Sequence, residues 1–372
     1  SLFMVGDNGY GRLGLNEGGS SPSAKKSSPT QVGSANYQES GSMGGQNFAV
    51  KADGTLWAWG NSGNGVLGQN QGPGNSRSSP TQVGTDTTWS KLSRCGSPGQ
   101  SVCLATKTDG TLWSWGYQPY GNLGLDLSSP QRRSSPTQIP GITWTNEFAM
   151  CPAHGLGIKT DGTLWAWGAR YRGQVGNNES NPGQNAISAP VQIGSDSNWS
   201  KVVGGTATSG AIKTDGTLWL WGGAEKGALG QNGPVNTHQS SPVQVPGTWS
   251  NAQVIGSQTS VHAIKTDGTL WAWGSMDGGV LGINKNAIPT DDARSSPAQV
   301  GTDTTWETVS SGGEKGMCSK TDGTWWVWGA NEQGQLGLNQ PNTIKLSSPT
   351  QLPGGWASIK FADGGLTLLK IS

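Results

Sequence analysis

The residues of this chain best suited to contact another molecule are tyrosines and arginines in one class of loop. They lie between a recurring strand that ends in glycine and a following Leu-Gly or Val-Gly pair, and they are Tyr10, Arg12, Tyr117, Tyr120, Arg170, Tyr171 and Arg172. Tyr and Arg are enriched among the residues that dominate binding at protein interfaces. These positions depart from an otherwise repetitive sequence, so they predict a partner-binding surface. The alternative interpretation is ordinary loop residues with partly packed rings.

Two further sets of basic residues carry weaker predictions. One set precedes a recurring Ser-Ser-Pro segment and could meet an acidic partner or form a solvated face: Lys25, Lys26, Arg77, Arg132, Arg133 and Arg294. The other set recurs once per repeat: Lys51, Lys107, Lys159, Lys213, Lys265, Lys320 and Lys370. These lysines could bind an anion, but we expect each stem to lie over the neighbouring repeat with its ammonium in water.

No arrangement of residues in the sequence is typical of a catalytic centre. The recurring Asp-Gly pairs are turn residues rather than paired carboxylates. The glycine-rich segment 6–14 resembles a phosphate-binding loop in composition. Such a loop needs the N-terminus of a following helix, and no helix pattern follows this segment. No Ser/His/Asp or Cys/His set is suggested. The sequence therefore predicts a protein that is not an enzyme and has no cofactor.

The cysteines and histidines predict no metal site. The chain has three scattered histidines and four cysteines, none of them in a CxxC pair. Metal sites require clustered ligands at characteristic spacings. We expect Cys95, Cys103, Cys151 and Cys318 to be small buried residues. A Cys95–Cys103 disulfide is the alternative for that pair.

Charge and hydropathy exclude several classes of protein. The 24 Lys and Arg nearly balance the 23 Asp and Glu, and charged residues make up only 13% of the chain. A strongly basic balance would favour nucleic acid or an anionic membrane surface, so neither partner is expected. No apolar run reaches the ~18 residues of a membrane span, and the first residues do not resemble a secretion signal. Virion or cytoplasm is therefore the favoured location.

A repeat of about 53 residues organises the whole chain. Six copies of a segment close to KTDGTLWAWG have their Asp-Gly glycines 52 to 56 residues apart. A G-x-L/V-G turn and a Ser-x-Pro-x-Gln element each recur seven times, and an aromatic residue follows each Ser-x-Pro-x-Gln element. The 61 glycines and 19 tryptophans are therefore repeat positions rather than signs of low complexity.

The local pattern predicts β-hairpins that are covered on both faces. We interpret Asp267-Gly268 as a two-residue turn that pairs Ile264 with Trp271. Trp271 and Trp273 then share one face of the strand, and Leu270 and Ala272 share the other. One sheet with two apolar faces needs cover on both sides, and a ring of stacked blades supplies it.

The two ends of the chain together provide the missing repeat. Residues 356–370 resemble the first half of a repeat, and Leu2–Gly6 resembles its LWAWG strand. A blade made from both ends closes the ring and removes exposed sheet edges. We therefore predict an all-β, seven-bladed β-propeller that forms a single domain over residues 1–372, in which residues 1–6 complete the last blade.

These motifs resemble the repeat of the regulator-of-chromosome-condensation family, whose units end in D-G-x-L/V-aromatic-x-W-G followed by N-x-x-G-Q-L-G. Residues 331–337, NEQGQLG, match that ending closely. The resemblance covers the whole chain and implies a seven-bladed propeller. The family includes an exchange factor for a small GTPase that also binds chromatin, a β-lactamase-inhibiting propeller, and bacterial and phage proteins. Two departures weaken the exchange-factor reading. The chain has no basic tail, and of the histidines frequent in the family only His154 remains.

The sequence thus favours a non-catalytic propeller that serves as a protein-interaction or structural module. Its uniform blades and low charge look similar to bacterial or phage members, which suggests a virion or surface-assembly component. One alternative is a regulator of a partner protein, either a GTPase exchange factor or an enzyme inhibitor. The other is a glycan-binding propeller, which predicts several similar aromatic pockets around the ring.

Overall fold

Each of the six Asp-Gly hairpins lies in the centre of a four-stranded antiparallel sheet, and these six sheets and a seventh that contains both ends of the chain are the blades of a ring. The computed structural model describes residues 1–17, 26–43, 45–72, 74–93, 102–128, 131–141, 143–179, 186–255, 260–284, 293–312, 314–331, 336–338, 345–362 and 365–370. We number the blades 1 to 7 in the order in which their first strands occur in the chain. The predicted all-β, seven-bladed propeller is therefore confirmed.

The four strands of each blade are arranged side by side, with the first strand nearest the ring axis and the fourth at the rim. The first strands are Tyr37–Met43, Trp89–Leu92, Trp144–Met150, Trp199–Gly204, Trp249–Ile255, Trp306–Gly312 and Ser358–Ala362. The second strands are Gln46–Lys51, Val102–Lys107, His154–Lys159, Thr208–Lys213, Ser260–Lys265, Lys315–Lys320 and Gly365–Leu369. The third strands are Leu56–Gly60, Leu112–Gln118, Leu164–Gly168, Leu218–Gly222, Leu270–Ser275, Trp325–Gly329 and Leu2–Gly6. The fourth strands are Arg77–Gln82, Gln131–Gln138, Ile187–Gln192, Gln239–Val245, Ala293–Gln299, Leu346–Leu352 and Lys26–Gln31. Short 3-10 turns lie at Gly9–Gly11, Gly63–Gly65, Glu225–Gly227 and Asp277–Gly279.

Blade 7 closes the ring with strands from both ends of the chain. Its sheet places the third strand, Leu2–Gly6, beside the second strand, Gly365–Leu369, in antiparallel register. The backbones of Ser1 and Lys370 exchange two hydrogen bonds, of 2.8 and 3.0 Å. These bonds form where the other blades have their Asp-Gly turn. The predicted closure is confirmed.

The Asp-Gly turn differs from the two-residue turn that we expected. Ile264 pairs with Leu270 rather than with Trp271, and the amide of Lys265 donates to the carbonyl of Thr269. Three residues therefore form the loop, and Gly268 is its left-handed residue, with φ of 78°. A three-residue loop that ends in such a glycine is a common hairpin connection. The Asp267 carboxylate accepts both the amide and the hydroxyl of Thr269, and this stabilises the longer loop.

A tryptophan from each of blades 1 to 6 ties that blade to the loop of the preceding blade. The last tryptophan of the third strand is fully buried, and its indole N–H donates to a carbonyl of the neighbouring loop. The six tryptophans are Trp59, Trp115, Trp167, Trp221, Trp273 and Trp328, with donor–acceptor distances of 2.7 to 3.0 Å. Buried donors need such partners. The repeat tryptophans therefore fix the loops as well as filling the core.

The lysine preceding each Asp-Gly turn lies over its own blade and not over the neighbouring one, which corrects the expectation from the sequence. Six lysine ammonium groups lie 3.4 to 4.6 Å from the centroid of a tryptophan ring in the same hairpin. Lys107, Lys213 and Lys320 also pair with an aspartate of the linker that precedes their blade. Cation–π attraction and an ion pair together hold the ammonium against the protein.

Candidate functional site

The predicted site residues lie on one face of the ring, which we call the loop face. The strands of a blade alternate in direction, so the loop between strands one and two meets the loop that follows strand three. Backbone hydrogen bonds of 2.8 to 3.0 Å join these loops, as between Asn61 and Gly45 and between Ala169 and Ala153. The Asp-Gly turns lie on the opposite face, which we call the turn face. All seven candidate tyrosines and arginines lie in loops that follow a third strand or directly at the end of one.

Tyr120 and Tyr171 meet across the junction of blades 2 and 3. Their ring centroids are 6.4 Å apart and the planes are inclined by 62°, an edge-to-face contact. The loop that carries Tyr120 is held by the indole of Trp167, which donates to the carbonyl of Asn122. The loop of Tyr171 is held in the same way by Trp221, through the carbonyl of Gln174. Buried residues of the repeat therefore fix the position of both rings.

Arg172 extends this aromatic pair towards blade 4. Its guanidinium carbon lies 5.9 Å from the Tyr171 ring centroid, and the guanidinium forms an ion pair with Glu225 of the blade 4 loop. His238 Nε2 lies 3.9 Å from the same carboxylate. Partial burial raises the pKa of the Tyr171 phenol, which keeps the hydroxyl protonated at neutral pH. We call Tyr120, Tyr171 and Arg172 the Tyr–Arg patch.

The patch combines exposure with fixed geometry. Tyr171 is 41% exposed, and the side chain of Arg172 is 40% exposed. Tyr117, in the same blade as Tyr120, stacks under the guanidinium of Arg132, whose carbon lies 5.1 Å from the ring centroid. The loops after the third strands of blades 2 to 4, together with the start of the fourth strand of blade 2, carry five described lysines and arginines against three acids: Arg132, Arg133, Arg170, Arg172 and Lys226, with Asp126, Glu179 and Glu225. The surface is therefore aromatic and mildly cationic.

The structure does not bring all seven predicted residues together. Arg170 pairs with Glu179 inside its own loop. Tyr10 and Arg12 belong to blade 7, which blade 1 separates from blade 2. Arg12 is turned inward, where Nε donates to the carbonyl of Gly9 and the guanidinium lies 3.5 Å from Asp7. Tyr10 is 58% exposed and has a left-handed backbone with φ of 59°, which is unusual for a bulky residue.

Sequence reasoning missed three contacts in and beside this site. Glu225 of blade 4 pairs with Arg172, and His238 lies 3.9 Å from the Glu225 carboxylate. Arg132, from the basic set that could form a solvated face, stacks on Tyr117 beside the patch. The departure of Glu225 from the glycine-rich pattern at this loop position was the available signal. In the basic set that precedes the Ser-Ser-Pro segments, Lys26 pairs with Glu17 and Arg77 bonds to Gln71. Lys25 and Cys95 lie outside the described residues, and so does the proposed Cys95–Cys103 pairing.

The nearest approach to catalytic chemistry is a buried serine–histidine contact. Ser209 Oγ lies 2.7 Å from His154 Nε2, and both residues are fully buried. Ser209 Oγ also lies 2.7 Å from the carbonyl of Gln174, so it links His154 to the Tyr171 loop. Burial lowers the pKa of His154 to about 3. The residue that resembles the histidine of the family is therefore a packing element. The described residues contain no group of three metal-ligating side chains and no helix able to cross a membrane.

A closed ring of seven blades that presents a rigid loop surface is the architecture of a β-propeller that serves as a protein-interaction module. Its sequence matches the RCC1-like domain over residues 1–368, and the chain belongs to that family. It is 30% identical to the human E3 ubiquitin-protein ligase HERC2 over 362 residues, which are 93% of this chain and 7% of HERC2. It is 28% identical to the Arabidopsis ultraviolet-B receptor UVR8 over 64% of this chain and 53% of UVR8. The chain therefore spans only part of both relatives.

Solved structures show the same fold. Human WBSCR16 superimposes with a TM-score of 0.83 at 20% identity, and each chain is covered completely. Prp20p from Saccharomyces cerevisiae superimposes with a TM-score of 0.81 at 17% identity, over all of this chain and 92% of Prp20p. Prp20p is described with its binding to Gsp1p and histones, and yeast RCC1 (Prp20) with bound Kap60. Prp20p is therefore a propeller of this fold for which binding to other proteins is described.

These relatives change two expectations from the sequence. They come from human, mouse, Arabidopsis and yeasts, and they do not support the bacterial or phage source. The virion and surface-assembly role loses its basis with that source. The alternative of a regulator that binds a partner protein is better supported than the structural module.

Proposed function

We propose that this chain is a non-catalytic propeller that regulates a partner protein by binding it through the loop face. The Tyr–Arg patch is the centre of the contact. The observation that carries this proposal is the edge-to-face pair of Tyr120 and Tyr171 with Arg172 beside it, partly exposed and shared by two blades. An aromatic and cationic cluster of this kind has the composition of an interface hot spot.

The rigidity of the patch favours binding. Each of its loops is held by a buried indole of the next blade, so little conformational freedom is lost when a partner docks. Tyrosine has few rotatable bonds and offers both ring surface and a hydroxyl. The Tyr171 hydroxyl is protonated at neutral pH and is available as a hydrogen-bond donor.

The charge of the surface favours a partner with an acidic contact region. Arg172 is already paired with Glu225, so its planar guanidinium is oriented before a partner arrives. Rim charges mainly steer association, while desolvated aromatic contacts supply most of the affinity. A regulator of this type acts by occluding or reshaping a site on its partner.

The test is the affinity of a partner recovered by chemical cross-linking from the native source of the protein. We expect Tyr171→Ala and Arg172→Ala each to weaken that affinity by about 10- to 30-fold, equivalent to roughly 1.4–2 kcal/mol. Lys370→Ala, at an exposed position on the turn face, is the control and should leave the affinity unchanged. Thermal unfolding of each variant confirms that the ring is intact.

Two results would contradict the proposal. An unchanged affinity in both patch variants would remove the Tyr–Arg patch from the interface. A partner whose nucleotide exchange or enzymatic activity is the same with and without the propeller would exclude the regulatory role.

A further inference from the structure

A cavity of about 410 Å³ lies at the outer rim between blades 1 and 2, away from the loops of the Tyr–Arg patch. The two blades are connected beside this cavity, because the amide of Asn70 in blade 1 donates to the carbonyl of Ser134 in blade 2 at 2.7 Å. This volume falls in the range of small-molecule sites, roughly 300–1,000 Å³. We call this cavity the rim groove.

The polar lining of the rim groove is dominated by carboxamides. Gln69, Asn70, Gln71 and Gln82 all border it. A carboxamide both donates and accepts hydrogen bonds, and so does a hydroxyl group. A wall of such side chains matches a ligand that carries several hydroxyls at different angles.

The two charged residues of the described lining, Arg77 and Asp86, are oriented by protein partners. The Asp86 carboxylate is paired with the Lys107 ammonium at 2.9 Å. The Arg77 guanidinium donates to the uncharged Gln71 Oε1 at 2.7 Å and forms no ion pair with a described acid. Its positive charge can therefore strengthen a hydrogen bond to a ligand oxygen.

Two tryptophans complete the lining. Trp113 borders the cavity and is partly exposed, and the Lys107 ammonium lies over its ring, 3.9 Å from the centroid. Trp89 is only 2% exposed, and its indole N–H has no acceptor among the described residues. A buried donor without a partner is costly and calls for an acceptor from outside the chain.

We propose that the rim groove binds a sugar through its hydroxyl groups. The exposed part of the Trp113 ring would pack against the C–H face of the sugar, the carboxamides and Arg77 would bond its hydroxyls, and the Trp89 indole would donate to an oxygen. This site goes beyond the protein-binding function of the loop face and shares no residue with the Tyr–Arg patch.

The neighbouring groove shows that the lining is particular to blades 1 and 2. Leu125 and Leu127 of blade 2 stand where Gln69 and Gln71 stand in blade 1. Ile187 of blade 3 and Gln239 of blade 4 take the place of Arg77 on their outer strands. An indole N–H without an acceptor recurs in blades 3 to 6, at Trp144, Trp199, Trp249 and Trp306. The pair of Gln71 and Arg77, and not the indole alone, therefore distinguishes the rim groove.

Saturation-transfer NMR with the methyl glycosides of glucose, galactose and mannose tests the proposal on the full chain. We expect transfer to the ring protons of at least one glycoside, and a shift of one indole N–H resonance that is lost in Trp89→Phe. Arg77→Ala and Gln71→Ala should each weaken binding by about three- to tenfold, because each removes a hydrogen bond to a hydroxyl group of the sugar. Gln239→Ala, at the position equivalent to Arg77 in blade 4, is the matched control and should bind as the unaltered chain does.

Either of two results would overturn the proposal. One is the absence of transfer to all three glycosides at about 20 mM, a concentration that would reveal even weak binding. The other is equal binding by the unaltered chain, Arg77→Ala and Gln71→Ala.

Discussion

At the residue scale, the buried histidines govern how stability depends on pH. His154 and His262 are fully buried, and burial lowers their pKa values to about 3 and about 4. The unfolded chain has an ordinary histidine pKa near 6.5 and binds protons that the native chain excludes. Stability is therefore present above pH 6.5 and is lost as the pH falls below that value.

We expect the free energy of unfolding to fall by about 2 kcal/mol for each buried histidine between pH 7 and pH 5. Glu147 acts in the opposite direction, because desolvation raises the pKa of its carboxyl. Urea unfolding of His154→Gln and His262→Gln at both pH values measures the histidine contribution. The pH dependence should be smaller in each variant than in the unaltered chain. Equal slopes in all three proteins would refute this assignment.

The indole of Trp167 connects the core to the Tyr120 loop of the candidate site. Trp167→Phe keeps most of the packing but leaves the carbonyl of Asn122 without its donor. We expect a loss of about 1–2 kcal/mol in stability and faster amide exchange in the loop that carries Tyr120. Trp165→Phe is the matched control, because its indole donates to Thr163 in its own hairpin. Faster exchange of the Tyr120 loop in both variants would show that the anchoring bond is not the cause.

At the scale of the element, the hairpins were predictable in kind but not in register. The Asp-Gly pair and the alternation around Trp271 and Trp273 indicate a hairpin with two buried faces. The bonds from Asp267 to Thr269, which favour a three-residue loop, depend on side-chain geometry that the residue pattern alone does not fix. The prediction that the repeat lysines lie over the neighbouring blade was wrong for a similar reason. Their attraction to tryptophans of the same hairpin depends on that register.

Equivalent glycines of these hairpins should differ in their tolerance of a side chain. Gly268 and Gly323 have nearly the same left-handed φ, 78° and 80°. A Cβ on Gly268 would lie 2.0 Å from the carbonyl oxygen of Thr304, whereas a Cβ on Gly323 meets nothing within 4 Å. The long linker before Trp306 causes the difference.

We expect Gly323→Ala to cost about 1 kcal/mol, the strain of a left-handed alanine. Gly268→Ala should cost roughly 3 kcal/mol or more, because the backbone of the linker must also move. Chemical denaturation of the two variants side by side measures both costs. Equal losses of stability would mean that the linker does not press on the turn.

At the scale of the whole molecule, a chain of charges at the axis supports the closing blade. Glu39 of blade 1 pairs with Lys91 of blade 2 at 3.2 Å and also with Lys360 of blade 7. The Lys360 ammonium also donates to the carbonyl of Ser40 at 2.6 Å. The carboxylate is mostly buried, so these pairs are screened less than surface ion pairs.

Glu39→Gln should lower the free energy of unfolding by about 1–3 kcal/mol, because it removes the mostly buried carboxylate that faces the ammonium groups of Lys91 and Lys360 at the ring closure. Glu307→Gln, an exposed acid on the first strand of blade 6, should change stability by less than about 0.5 kcal/mol. Thermal unfolding of both variants measures the difference. A loss of the same size in both would indicate a general charge effect and no special role at the closure.

The sequence predicts most of the whole-molecule architecture and less of the site. Seven repeats and the split between residues 356–370 and Leu2–Gly6 specify the closed ring, because both are periodic signals. The site depends on contacts between blades, such as Tyr120 with Tyr171 and Arg172 with Glu225, which join residues about 50 positions apart. The same loop class also holds Tyr10 and Arg12, which the ring places elsewhere. The source and the assembly role were inferred from the uniformity of the blades, which reflects the repeat and not the organism.

The most direct test of the central claim is hydrogen–deuterium exchange of the propeller with and without the partner recovered by cross-linking. Binding through the loop face predicts slower exchange in residues 117–124 and 169–176, around Tyr120, Tyr171 and Arg172. The Asp-Gly turns at residues 108–110 and 160–162, on the opposite face of the same blades, should exchange as before. Protection of those turns with unchanged exchange in the Tyr–Arg loops would contradict the account.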